Sequence, residues 1–233
     1  MAVCIEGSRS YGIGLARALA AAGLLVLECE QPARRHRRGK GKSDPIDAHL
    51  AVLAALRLDA GRLPVPRADG DREALRILMV AWQEITEAST AQSGRLRALL
   101  LAGDDADRRA ARTTLSGKAL SALTGREVPA GASREQAVRQ AEICRLANAL
   151  AQARSQLKDN RAQLQAIVDD IAPGLTSRYG VGPVSAAQAI VSFSHPGRCR
   201  SEAAFAALGG PARSRPAAAR PSGTGSTAAV TGR

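Results

Sequence analysis

A chain of 233 residues is long enough to bury a hydrophobic core, and this length fits either one domain or two domains joined by helices. The formal net charge of +12 and the pI near 10.8 predict an anionic partner, and nucleic acid is the first candidate. The longest apolar run (18–27) is too short to span a membrane. We therefore expect a soluble cytoplasmic protein without a membrane partner. An aromatic content of 2% argues against a mode that stacks many single-stranded bases on rings, and the four cysteines are too scattered for a zinc site.

The first third of the chain has an α/β pattern. Residues 2–5 and 24–28 are predicted strands, and residues 14–22 form an alanine-rich helix that Gly23 ends. A further helix is expected from 44 to about 58. Asp44 suits its N-cap, Pro45 its first helical position and Asp47 its first turn, so both carboxylates share one helix end.

A basic run precedes these two aspartates. Six cations occupy nine positions, and they are Arg34, Arg35, Arg37, Arg38, Lys40 and Lys42. So many cations favour contact with phosphates over a merely solvated loop, and carboxylates beside them could gather a divalent metal at a nucleic acid.

Two long segments carry a seven-residue apolar rhythm typical of coiled coils. The first seam contains Leu75, Leu78, Trp82, Ile85, Ser89, Gln92, Leu96 and Leu99. The second contains Ile143, Leu146, Leu150, Ala153, Leu157, Asn160, Leu164, Ile167 and Ile171. A helix of the second length reaches roughly 50 Å, so we expect it to join domains or pair subunits, and we expect a homo-oligomer. Residues 103–133 between them read as a loop with a short helix.

After Pro173, Gly180 and Gly182 form a Gly-x-Gly turn between apolar helical segments, the pattern of a helix-hairpin-helix that holds a DNA phosphate on backbone N–H groups. The alternative is a turn without a ligand. Residues 211–233 are almost wholly Pro, Ala, Arg, Ser, Gly and Thr, a composition that cannot build a core, so disorder is expected there.

Together these motifs resemble the DEDD transposases of the insertion-sequence 110 family. The resemblance rests on Glu6-Gly7-x-x-Ser10-Tyr11-Gly12, the basic run into Lys42-Ser43-Asp44-Pro45-Ile46-Asp47-Ala48, the helical spacer, Gly180-Val181-Gly182-Pro183, and residues 200–210. It covers residue 5 to about residue 210. The order of the motifs is more specific than any one of them.

The resemblance implies a fold and an activity. The implied architecture is α/β plus α: a partial RuvC-like (ribonuclease-H fold) catalytic domain at 1–70, a helical coiled-coil spacer at 71–172, a partial transposase domain with the helix-hairpin-helix at 173–210, and a disordered tail at 211–233. Members cut and rejoin DNA with four acidic metal ligands and a nucleophilic serine, and some use a guide RNA. By motif match Glu6, Asp44 and Asp47 are the second, third and fourth acids, and they would hold Mg²⁺, a cation that prefers oxygen ligands.

The sequence departs from the family pattern at both ends. The family's first aspartate lies on a strand upstream of the Glu-Gly motif, and Met1 stands only five residues before Glu6, so we expect that acid to be missing and the sheet to have an unpaired edge. Where the family has a serine segment and a basic Gly-rich motif, residues 224–229 read as that motif's GC-rich codons shifted by one base, which suggests a frameshift near Gly210. We therefore assign no catalytic role to Ser222 or Ser226 and expect a degenerate copy.

Simpler interpretations remain open at this point. Asp44 and Asp47 suit a helix start without any metal, and Glu6 at a strand end is ordinarily a solvated carboxylate, so its assignment depends on the resemblance. The competing function is a non-catalytic, dimerising DNA-binding protein. Strand cleavage dependent on Asp44 and Asp47 distinguishes the two.

Overall fold

A computed structural model describes residues 2–29, 44–57, 64–128, 130–195, 198–199 and 201–208. Its N-terminal part is a small α/β unit in which strand β1 (Ala2–Glu6), helix α1 (Ile13–Ala21) and strand β2 (Leu25–Cys29) follow one another. The two strands are parallel, with a register that runs from Ala2 opposite Leu25 to Glu6 opposite Cys29. The α/β prediction for this region is confirmed, with bounds within a residue of those expected.

Seven further helices complete the described part of the chain. They are α2 (Asp44–Ala55), α3 (Asp71–Leu101), α4 (Asp105–Arg112), α5 (Gly117–Thr124), α6 (Arg134–Ile171), α7 (Pro183–Phe193) and α8 (Glu202–Leu208). The fold is therefore mostly helical, with one two-stranded parallel sheet near its start.

The sheet lies between α1 and α2, because its strands carry apolar side chains on both faces. On one face Ile5 and Val26 pack against Ala16 of α1. On the other face Leu27 and Cys29 pack against Ala51 and Ala55 of α2. Residues 64–67 run beside β2, where the backbone N–H of Glu28 donates to the carbonyl of Pro64 over 2.8 Å.

Helices α3 and α6 form a long antiparallel pair. At one end Leu96 and Leu100 pack with Ile143, Leu146 and Leu150. At the other end Leu75 packs with Leu164 and Val168. The 38 residues of α6 span about 57 Å, so the pair is the longest rigid feature of the described fold.

The predicted apolar seams lie in this pair, and they face one another within a single chain. Asn160, the polar position of the second seam, is buried and its side-chain amide donates to the carbonyl of Leu78 over 2.9 Å. Such a directed bond fixes the alignment of two helices, the role expected of one polar residue in an apolar seam.

Two short helices close the pair at the end we call the tip. Leu120 and Leu123 of α5 are buried against α6, and Leu115 and Ala111 complete the cluster. The sequence predicted one short helix in this stretch, but α4 and α5 both form. Each has an N-cap: Asp104 accepts from the N–H of Asp107, and Ser116 accepts from that of Ala119.

Helix α7 packs against the other end of the pair, which we call the base. Its Ala186 and Ala187 are almost fully buried beside Leu75, Leu164 and Val168. Small alanine side chains allow α7 to approach both long helices closely. The base therefore joins three helices from distant parts of the sequence.

No helix among the described residues is long and apolar enough to cross a membrane. The predicted disorder of residues 211–233 concerns a segment that lies outside the described residues.

Candidate nucleic-acid interface

The backbone brings the three predicted acidic positions to adjacent elements. Glu6 is the last residue of β1 and pairs in register with Cys29. The Cys29 Sγ lies 3.5 Å from the carbonyl oxygen of Ala51 in α2, one helical turn after Asp47. Asp44 begins α2, and Asp47 lies in its first turn. The side chains of Glu6, Asp44 and Asp47 are outside the described residues.

The basic run predicted to bind nucleic acid is also outside them. It comprises Arg34, Arg35, Arg37, Arg38, Lys40 and Lys42. Across the side chains that the structure does describe, no group of three or more His, Cys, Asp or Glu residues could hold a metal ion. That finding leaves the three acidic positions untested, since their carboxylates are not among those searched.

The Gly-x-Gly turn is described in full. Gly180 has φ +80°, a left-handed conformation that favours glycine, and Gly182 precedes α7. The N–H of Val181 donates to the carbonyl of Arg178 over 3.0 Å, and the N–H of Gly182 donates to Ser185 Oγ over 3.0 Å. Two N–H groups of the turn are thus already engaged within the chain.

The turn differs from the predicted helix-hairpin-helix on one side. The second helix is present as α7, but residues 174–181 form successive turns instead of a first short helix. Gly174 and Gly180 both have φ +80°. Because a left-handed residue interrupts an α-helix, two of them six residues apart leave room only for turns.

A buried ion-pair network lies on the α1 side of the sheet. Glu28 is 4% exposed, and its carboxylate accepts from Arg67 Nη2 at 2.5 Å, from Arg67 Nε at 3.2 Å and from the Arg67 backbone N–H at 3.1 Å. Arg9, in the loop after β1, forms an ion pair with the same carboxylate, and its Nε lies 3.0 Å from Glu28 Oε1. The other terminal nitrogen of Arg67, Nη1, contacts Ser194 Oγ and lies 3.1 Å from His195 Nδ1. This network, which we call the Glu28 network, connects the sheet with the end of α7.

The charges of the Glu28 network are not balanced. Burial raises the pKa of Glu28, but the hydrogen bonds and charge of Arg67, with the charge of Arg9 and the Ser8 hydroxyl, outweigh burial and hold this pKa below its usual range. Burial and the repulsion of Arg67 and Arg9 lower the pKa of Arg72. One buried carboxylate therefore pairs with two guanidinium groups, those of Arg67 and Arg9, so the network carries one more positive than negative charge.

Sequence analysis missed the Glu28 network. Its one local signal is Glu28 itself, a single acid between the buried residues Leu27 and Cys29 of an apolar strand. A buried carboxylate ordinarily requires a cationic partner. That rule predicts a partner for Glu28, but it does not say which of 33 lysines and arginines supplies it.

Comparison of the chain with protein-family models, with curated proteins and with solved structures finds no match.

Proposed function

We propose that this protein is a DNA transposase of the DEDD insertion-sequence 110 type, with a metal-binding region at the α/β unit, in a copy whose residues 224–229 depart from the family's motif. The observation that carries the proposal is the backbone arrangement of β1, β2 and α2. Residue 6 ends β1 opposite Cys29, and Cys29 contacts α2 one turn after Asp47. Glu6 and the two aspartates, which are distant in sequence, thus belong to neighbouring packed elements.

The donor set fits Mg²⁺. Glu6, Asp44 and Asp47 offer only carboxylate oxygens, which Mg²⁺ prefers over nitrogen or sulfur ligands. When bound, the ion would stabilise negative charge on the phosphate that is cut. The chain's own part is to hold these carboxylates on a strand end and a helix start, two rigid elements that support a site better than loops do.

Further support comes from charge. The +12 net charge suits a polyanionic partner, and the six cations at 34–42 come directly before Asp44 in the sequence. We include DNA as the partner and a guide RNA as the further partner that the resemblance implies. A homo-oligomer would need surfaces other than the described seams of α3 and α6, because these seams pack against each other within the chain.

The proposal is tested by comparing the wild type with Asp44→Asn and Asp47→Asn. Each change removes one charged ligand, so we expect Mg²⁺-dependent cleavage of a DNA strand to be lost. We also expect the affinity for Mg²⁺, measured by calorimetry, to fall about tenfold or more. Loss of a residue that only supports a metal ligand already lowers metal affinity by about that factor. Asp170→Asn is the matched control. It lies exposed near the end of α6, so both readouts should stay at the wild-type level.

Cleavage and Mg²⁺ binding that survive both substitutions would remove the metal role of the aspartates. The alternative function, a non-catalytic DNA-binding protein, would then hold if DNA binding persists without cleavage. The cationic surface of the described helices favours this alternative as much as the transposase, so cleavage is the deciding measurement.

A further inference from the structure

Helix α6 carries a row of cations that no predicted motif includes. Arg154, Lys158 and Arg161 are four and three residues apart, so they lie on one face of the helix. All three are exposed. No described carboxylate lies within ion-pair distance of them, whereas Arg139 and Arg145 earlier on α6 pair with Glu135 and Glu142. We call Arg154, Lys158 and Arg161 the α6 row.

The α6 row connects two other exposed basic positions. At its tip end, Arg154 donates to the carbonyl of Leu115, in the link between α4 and α5. Arg112 and Lys118 flank this link and are exposed. They also lack a described acidic partner within ion-pair distance.

At its base end the row reaches the Gly-x-Gly turn. An Arg161 guanidinium nitrogen lies 3.9 Å from the position that a Cβ would take at Gly182. Arg178 is exposed in the same turn, and the side chain of Tyr179 is fully exposed beside it. An exposed tyrosine next to cations suits a nucleic-acid backbone, because its hydroxyl can donate to one phosphate oxygen while the cations hold neighbouring phosphates.

The α6 row ends at Arg161, because the next residues of this helix face are engaged in hydrogen bonds with one another. Gln165 donates to Asp169 Oδ2 over 2.6 Å and to Thr176 Oγ1 over 2.9 Å, and Thr176 in turn donates to Asp169 Oδ1 over 3.0 Å. These bonds engage Asp169, eight residues after Arg161 on α6. Asp159, between the last two cations of the row in sequence, is exposed and forms no ion pair with either of them.

We propose that the α6 row is a DNA-backbone site that leads from the α4–α5 link to the Gly-x-Gly turn. The choice of DNA as its nucleic acid rests on the proposed function. In this site arginine and lysine side chains contact the phosphates at the turn, because the Val181 and Gly182 N–H groups are already bonded within the chain.

The dimensions suit this role. From residue 154 to residue 161 the helix rises about 10 Å, and one DNA strand carries a phosphate every 3.4 Å or so along the duplex axis. The row is therefore about as long as three phosphate intervals of one strand, roughly 10 Å. Each contact between a cation and a phosphate releases condensed counterions and contributes about 0.9 to the slope of log affinity against log salt concentration.

The test uses the full chain and a fluorescent, random-sequence DNA duplex in a salt titration. The variant is Lys158→Gln with Arg161→Gln, which leaves the bond from Arg154 to Leu115 in place. We expect binding to weaken about tenfold or more near 0.1 M salt and the salt slope to fall by about 2. Thermal unfolding should match the wild type, because both side chains are exposed.

The control is Arg134→Gln with Arg145→Gln, which changes the net charge equally on the same helix. Arg145 lies nine residues before Arg154 and so half a turn around α6 from the row. We expect this control to keep most of the binding and most of the salt slope. Equal losses in the two double variants would overturn the inference, since net charge alone would then explain them.

Two further outcomes separate this inference from the proposed function. If the wild type cuts DNA and the row substitutions leave DNA binding unchanged, the α6 row is not a DNA site. The proposed transposase function is then unaffected. Row-dependent binding in Asp44→Asn, with cleavage lost, would support both. Tighter row-dependent binding of a matched RNA duplex would overturn the assignment to DNA.

Discussion

Replacing Glu28 by Leu is expected to lower the free energy of unfolding by about 3–5 kcal/mol. The change removes the carboxylate that accepts three hydrogen bonds from Arg67. The Arg67 guanidinium is then left without this partner at a buried position, because the side chains of Glu28 and Arg67 are each 5% exposed. A buried charge without its partner keeps its full desolvation cost. Urea unfolding followed by circular dichroism measures the loss.

A double-mutant cycle shows whether the pair is the cause. Arg67→Met alone should destabilise by a similar amount, whereas Glu28→Leu with Arg67→Met should cost clearly less than the sum, because the buried charges leave together. The contacts that Arg67 makes with Ser194 and His195 are lost in both Arg67 variants. Additive single effects would contradict a coupled pair.

The same carboxylate makes stability depend on pH. Because the folded-state pKa of Glu28 is below its usual range, the contribution of Glu28 is present above the unfolded-state pKa and is lost as the pH falls through the folded-state pKa. We therefore expect thermal stability to drop in acid below the ordinary carboxylate range. Glu28→Gln should show a shallower acid loss than the wild type, and identical profiles would contradict this.

Leu164→Ala is expected to cost about 2–5 kcal/mol of unfolding free energy. Leu164 is 0% exposed at the base, where it packs with Leu75 of α3 and Ala187 of α7, so truncation opens a cavity where three helices meet. The same urea titration measures it. Leu101→Ala provides the control, because that leucine is 55% exposed and its removal should change stability little.

If Leu164→Ala were as mild as Leu101→Ala, the base would not be a packed core. Hydrogen exchange of individual helices provides a second measurement for this variant. Because α7 shares this cluster, we expect the variant to increase hydrogen exchange in α7 more than in α5, which packs only at the tip.

Sequence patterns predicted most of the helices and strands, but they did not predict which elements contact one another. Short apolar runs and Gly23 predicted β1, α1 and β2, because neighbouring residues in the sequence specify a short α/β unit. The apolar rhythm of α3 and α6 predicted the buried face of each helix except at Ile171, which is 40% exposed. It did not identify what each face contacts, since a heptad pattern is the same for a second subunit as for another helix of the same chain.

Three other features of the fold could not be predicted from short sequence patterns. Helix α4 (Asp105–Arg112) has few apolar side chains, so its existence depends on the Asp104 cap and the packing of Ala111. The segment between Pro173 and the Gly-x-Gly turn was predicted as helical, but the left-handed Gly174 and Gly180 override that preference. The pairing of Glu28 with Arg67 spans 39 residues and leaves no periodic trace in the sequence.

The two ends of the α3–α6 pair differ in how far apart their contacts lie along the chain. The tip assembles from residues 96–150, whereas the base requires Leu75 to meet Ala187. Closing a shorter loop loses less chain entropy, and rates of folding rise as contacts become more local. We therefore expect folding to begin at the tip and the two long helices to pair from the tip toward the base, with α7 docking last.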